Sequence, residues 1–150
     1  MKYTSAEVLA IIQAAREQGK TPDLRGHDLT GIGLFRADLS GVDFSTSNLR
    51  ATGLAETNLS GAILHKTEMS QVSLVKANLS GADLRQANLF QARLTNANLQ
   101  NADLRGADLG GADLYTANLT EANLEGARCD TYTRWPPGFD AKAAGVRYVV

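Results

Sequence analysis

The chain has 150 residues, a formal net charge of −1, 43% hydrophobic residues and only 6% aromatics, so its apolar mass is Leu and Ala rather than the usual mixed core. The near-neutral balance gives no global field for nucleic acid or an anionic membrane. A single cysteine excludes an internal disulfide, and no run approaches the roughly 20 apolar residues of a membrane span.

The first predicted element is a helix over residues 4–18. Thr4 and Glu7 have the spacing of a capping box. Val8, Ile11, Ile12 and Ala15 recur on one face, and Gly19 is a natural stop. The same stretch carries Glu7, Arg16 and Glu17 where a secretory leader would be apolar, so the expected compartment is the cytoplasm.

A five-residue beat starts at Leu24 and runs without insertion or deletion to Cys129, giving 22 steps. Every step is Leu except Phe44, Met69 and Cys129. Two residues earlier stands something small, Ala at every step from 82 to 127. One residue earlier stands mostly Asp or Asn, and the two residues after are polar or Gly. Small and large apolar residues two apart point to the same side of an extended backbone. The Gly and polar residues between them predict a bend in each repeat, with Asp and Asn bonding local backbone. A helix fails, because a five-residue step would carry Leu around the whole surface. A unit this short buries its apolar face only by stacking on copies of itself.

The pattern A-(D/N)-L-x-x resembles the pentapeptide-repeat family, over residues 22 to about 131. The resemblance implies an all-β solenoid: a right-handed quadrilateral β-helix with four repeats per coil. Twenty-two repeats then make about 5.5 coils. A period of 20 is visible independently in Leu-Ser-Gly at 39–41, 59–61 and 79–81. Three segments follow: an N-terminal α-helical cap (1–21), the repeat body (22–131) and a short C-terminal capping lid (132–150) that carries the bulky Tyr132, Trp135, Phe139 and Tyr148. The ending is similar to that of cyanobacterial members.

Twenty-residue columns define four sides, beginning at Asp23, Asp28, Gly33 and Asp38. Asp and Arg alternate on the first side. Asn58, Asn78, Asn98 and Asn118 on the fourth are expected to form an amide ladder. No catalytic, cofactor or metal constellation stands out. His27 sits in a small-residue inward slot facing the cap, His65 lies on the surface, and Cys129 replaces a core Leu. Candidate partner contacts are outward residues that break the consensus: Phe35, Ile63, His65, Val75, Phe90 and Tyr115, with residues 63–76 forming one irregular coil. The expected function is a rigid, non-enzymatic scaffold for protein partners, existing as a monomer or weak dimer without nucleic acid or membrane. The alternative is a DNA-mimicking gyrase-binding protein, known in one branch of the family. Residues 23–130 carry 13 acids and 9 bases, which is too mixed for a continuous acidic rod.

Overall fold

The computed structural model describes residues 2–149, and its first element is α1, Ser5–Glu17. The capping box closes as expected: Thr4 Oγ1 accepts the Glu7 N–H (3.1 Å), and Glu7 Oε1 accepts the Thr4 N–H (3.2 Å). Gly19, at φ 67, leaves the helix in the left-handed conformation that glycine adopts without strain. Val8 and Ile12 are fully buried and Ile11 packs against them at the margin of the core. No helix is long and apolar enough to cross a membrane among the described residues.

From Asp23 onward the chain stacks on itself with an offset of twenty residues. Asp23 pairs in parallel with Asp43, Asp28 with Asn48, Gly33 with Gly53 and Asp38 with Asn58. The same four columns repeat down to Asp108↔Arg128. Each five-residue unit assigns its backbone donors in one way. The central Leu N–H bonds the next coil, as Leu24 does to Asp43 O (2.8 Å), and the residue before the centre bonds the previous coil, as Asn48 does to His27 O (2.9 Å). The small residue closes the corner onto the preceding centre, as Ala62 does to Leu59 O (3.0 Å). Two of five residues are spent in the corner, so pairing is interrupted after one residue on every side. Each side is therefore held by single bridges rather than by a continuous strand.

The corner residue, two after the centre, also bonds the next coil, as Gly26 does to Ser45 O (3.0 Å). That leaves one donor: the N–H of the residue just after the centre has no backbone acceptor. The Asp or Asn two residues before it supplies one. Asp43 Oδ1 accepts from Ser45 N (2.9 Å), and Asn58, Asn78, Asn98 and Asn118 do the same for residues 60, 80, 100 and 120 (each 3.0 Å). This explains why Asp and Asn interchange at that position: both offer the same oxygen. It also corrects the amide-ladder expectation, because these asparagine oxygens are turned onto their own backbone.

The corner residue is left-handed at Gly26 and Gly41, but equally at Arg36, Lys76 and the β-branched Thr46 (φ 59). The corner at Thr116 is built differently, with its Oγ1 accepting the Asn96 N–H (2.8 Å) that elsewhere reaches a carbonyl.

The core is a column of Leu side chains lined by Ala, with Phe44, Met69 and Cys129 fully buried in Leu slots. Burial pushes the Cys129 thiol pKa upward, away from a reactive thiolate. Where Thr replaces Ala, at 52, 57 and 67, its hydroxyl donates to the preceding centre's carbonyl, so a polar atom is tolerated inside.

Both ends of the stack are covered unevenly. At the top, Ser5 Oγ donates to Gly33 O (2.5 Å), and Arg16 donates to Asp38 O (3.0 Å) and Ser40 O (2.9 Å), so α1 satisfies open carbonyls on the third and fourth sides. Tyr3 packs at a tilt against His27 (centroids 5.0 Å apart), whose Nδ1 meets Arg25 O (2.8 Å). At the bottom, Asp130 Oδ1 accepts from the N–H groups of Gly111, Tyr132 and Thr133, and one extra residue shifts the offset to 21 at Asp113↔Arg134. Trp135 then stacks on Phe139 (5.0 Å). The chain returns so that β1 (Arg128–Cys129) pairs in parallel with β2 (Arg147–Tyr148).

Candidate interaction surface

The outward chemistry of this tower is set by what flanks each central Leu. On the first side, Asp23, Asp83 and Asp103 grip Arg25, Arg85 and Arg105 at 2.8, 2.7 and 2.6 Å within their own coils. Those arginines hold the three carboxyls below the usual aspartate range. Such pairs neutralise the side rather than create a site. His65 bonds Arg85 O through Nδ1 (3.1 Å) and overlooks a hollow of about 280 Å³ bordered by Arg85 and Arg105.

The six candidate contacts do not converge on one patch. Phe35, Val75 and Tyr115 share the third side, each 40 residues or two coils from the next, so roughly 10 Å apart along the axis. Ile63 and His65 lie on the first side, which faces the opposite way. Phe90 lies at the end of the second, with its ring over Gly110: a Cβ there would stand 3.0 Å from Phe90 Cδ2. Phe35 is 57% exposed, Tyr115 44% and Phe90 40%, whereas Ile63 and Val75 are half-buried. Outward side chains on adjacent coils stand about 4.8 Å apart and shield one another. Ile63 is thus flanked by its bridge partners Asp43 and Asp83.

The third side differs from the other three in two respects. Gly33, Gly53, Ser73 and Arg93 stand where Asp or Asn would cap a backbone donor. Hence the N–H groups of Phe35, Ala55, Val75 and Thr95 have no acceptor among the described residues, against the single His65 N behind Ile63 on the first side, while Tyr115 N is capped by Asp113 (3.1 Å). The charge is also reversed. With Arg134, this side carries four bases (Arg36, Lys76, Arg93, Arg134) against two acids (Glu56, Asp113). The first, second and fourth sides carry five acids against four bases, four against two and two against none. Arg36 pairs with Glu56 (2.7 Å) and Arg134 with Asp113 (3.0 Å), and these arginines also lie over the rings of Phe35 (4.9 Å) and Tyr115 (4.7 Å). Lys76 and Arg93 make no salt bridge among the described residues.

The composition hides this face, because its two excess bases are outweighed by the three net-acidic sides and vanish in the whole-chain charge of −1. The exposed Leu9 (41%) was also missed. Its signal was its place beside Val8 but off the apolar stripe. It rims a groove of about 510 Å³ with Ile12, Arg16 and Asp38.

A ladder of single bridges at a constant twenty-residue offset, carried by A-(D/N)-L-x-x units, agrees with comparison to known proteins. The profile of the family described as "Pentapeptide repeats" matches eight copies over residues 22–50, 54–91 and 92–128. The chain belongs to the pentapeptide-repeat family. Among solved pentapeptide-repeat structures it is similar to Rfr23 from the cyanobacterium Cyanothece 51142, with 31% identity, 87% of this chain and 98% of that one covered, and a TM-score of 0.77. HetL from the cyanobacterium Nostoc sp. strain PCC 7120, described as involved in heterocyst differentiation regulation, shares the fold at 22% identity, with coverage of 97% and 92% and a TM-score of 0.55. So does QnrB1, a plasmid-mediated fluoroquinolone resistance protein, at 20% identity, with coverage of 86% and 78% and a TM-score of 0.53. No curated protein matches in sequence.

Proposed function

We propose that this pentapeptide-repeat protein is a non-enzymatic interaction scaffold that presents a rigid side to a protein partner in the cytoplasm. In this reading it is a right-handed quadrilateral tower of about 5.5 coils, capped by residues 1–21 and 132–150, acting as a monomer or weak dimer without a cofactor. The observation that carries the reading is the third side. Exposed Phe35 and Tyr115, with half-buried Val75 between them, are mounted in register on an unbroken bridge ladder, where exposed aromatics mark interfaces better than chemistry.

The alternative of a DNA-mimicking gyrase binder draws on a likeness to QnrB1 that is one of fold. The basic third side interrupts the continuous acidity such mimicry requires. Immobilised native protein should capture a specific partner from native extract. Val75→Asp, on the third side, should lose it, whereas Ile63→Asp, on the opposite side, should retain it. Equal recovery by the native protein and Val75→Asp sinks the assignment to this side.

A further inference from the structure

We infer that the third side is a docking face for an acidic, extended segment of a partner protein, which deepens the scaffold reading and rests on it. Charge complementarity names the occupant. The chain as a whole is slightly acidic, yet this side has an excess of two bases, and Lys76 and Arg93, one coil apart, are without salt-bridge partners among the described residues. Their ammonium and guanidinium groups are the cations open to a ligand, since Arg36 and Arg134 already hold Glu56 and Asp113.

The backbone favours the same occupant. The N–H groups of Phe35, Ala55, Val75 and Thr95 stand one coil apart, about 4.8 Å, and none meets a capping oxygen among the described residues. A row of donors beside cations binds carboxylates and peptide carbonyls, because a charged acceptor roughly doubles the strength of such a bond. Between these donors and the preceding corner, Gly33 and Gly53 project no side chain, so a chain running along the tower axis can lie close to the donors. Phe35 and Tyr115 stand at the two ends of this run, four coils or roughly 19 Å apart, a length spanned by five to six extended residues.

The occupant is thus a short extended stretch with two or more acidic residues and an apolar residue near either end. Nucleic acid offers phosphates to the same cations. However, an excess of two bases on a net acidic protein supplies few phosphate contacts.

Ser73→Asp tests the inference with a substitution the fold already uses. Asp113, in the same column, caps Tyr115 N at 3.1 Å, so the introduced carboxylate should cap Val75 N and pair with Arg93, the bridge neighbour of Ser73. Asn98→Asp adds the same charge to the fourth side and preserves its oxygen on Gln100 N. The probe is a fluorescein-labelled Asp/Glu-rich peptide with one Tyr near each end, read by fluorescence anisotropy. A Lys-rich counterpart and single-stranded DNA serve as controls. The acidic peptide should bind the native protein, lose at least tenfold in affinity with Ser73→Asp, and change less than twofold with Asn98→Asp. Raising salt should weaken it.

Several results would overturn the inference: no binding of the acidic peptide, equal binding by Ser73→Asp, or preferential binding of the Lys-rich peptide or the DNA. Because Val75→Asp capture from extract is scored separately, a partner lost with Val75→Asp alongside a failed peptide would remove the acidic occupant and leave the scaffold. A bound peptide without any captured partner would do the reverse.

Discussion

Leu79 and Leu119 occupy the same slot on the fourth side, two coils apart, and truncating each to alanine should cost very different amounts. Leu79 is fully buried, with Leu59 above and Leu99 below. The Asn58↔Asn78 and Asn78↔Asn98 bridges hold those coils at strand spacing, so the site cannot collapse around the missing atoms. Leu79→Ala should therefore fall in the upper part of the measured range for buried Leu→Ala changes, about 4 kcal/mol. Leu119 has no paired strand beneath it, because the chain there runs Trp135-Pro136-Pro137, and proline has no N–H for the ladder. It is partly exposed and borders an open hollow of about 380 Å³ next to Pro136 and Phe139. Losing roughly half of a Leu transfer energy, with no sealed cavity, costs about 1–1.5 kcal/mol. Urea unfolding followed by circular dichroism, with the midpoint shift multiplied by a common m-value, should separate the two variants by about 2.5 kcal/mol. Equal losses, or a loss below about 2 kcal/mol for Leu79→Ala, would refute the claim that the bridges prevent the core from relaxing.

Two further outcomes follow from the corners and the carboxylates. Thr46→Gly should raise the thermal midpoint by a few degrees: a β-branched residue at φ 59 is strained by about 1–2 kcal/mol, and glycine returns about 0.5–1 kcal/mol of that in backbone entropy. An unchanged or lower midpoint would show that the Thr46 hydroxyl bond to Ser45 O (2.6 Å) offsets the strain. Asp23, Asp28, Asp38, Asp83 and Asp103 titrate below the ordinary aspartate range, held there first by bonds from Arg25, Thr30, Ser40, Arg85 and Arg105. Depressed folded values mean a contribution present above the unfolded value of about 3.9 and lost as pH falls below it. Thermal midpoints taken between neutral pH and about pH 2 should drop on the acid side. Asp83→Asn should flatten the drop, because the amide oxygen can still cap Arg85 N while losing the ionic bond. A midpoint that stays flat through that acid range in the native protein would count against these carboxylates.

The repeat made most of the tower legible. A Leu every fifth residue, with a small residue two places earlier, leaves stacking as the way to bury the apolar face, and the bridges follow that register from Asp23 to Arg128. The purpose of Asp and Asn was half legible. Their affinity for local backbone was evident, but which donor they served appeared only once the other four N–H partners of the unit were placed. The extra residue between Asp130 and Arg134 could not be read, since it lies beyond the beat and shows only in the changed offset. Ile63 and Val75 could be read as outward but not as half-buried, because a linear reading does not see the side chains twenty residues before and after that shield them. The basic third side was present in the columns yet concealed by their sum. Its unpaired donors were also encoded, in Gly33, Gly53, Ser73 and Arg93, but their meaning required the hydrogen-bond pattern.

The constant twenty-residue offset also gives the surface an addressing scheme. Deleting one whole unit between Phe35 and Tyr115, five residues, would leave every Leu facing inward and the bridge columns able to re-form with new partners. It would nevertheless advance all later residues by a quarter turn, carrying Tyr115 off the side that holds Phe35. Removing four units together restores the alignment with one storey fewer. Length variation that preserves a surface on this tower should therefore come in multiples of twenty. Shorter changes in multiples of five would keep the protein folded while scrambling which residues face a partner.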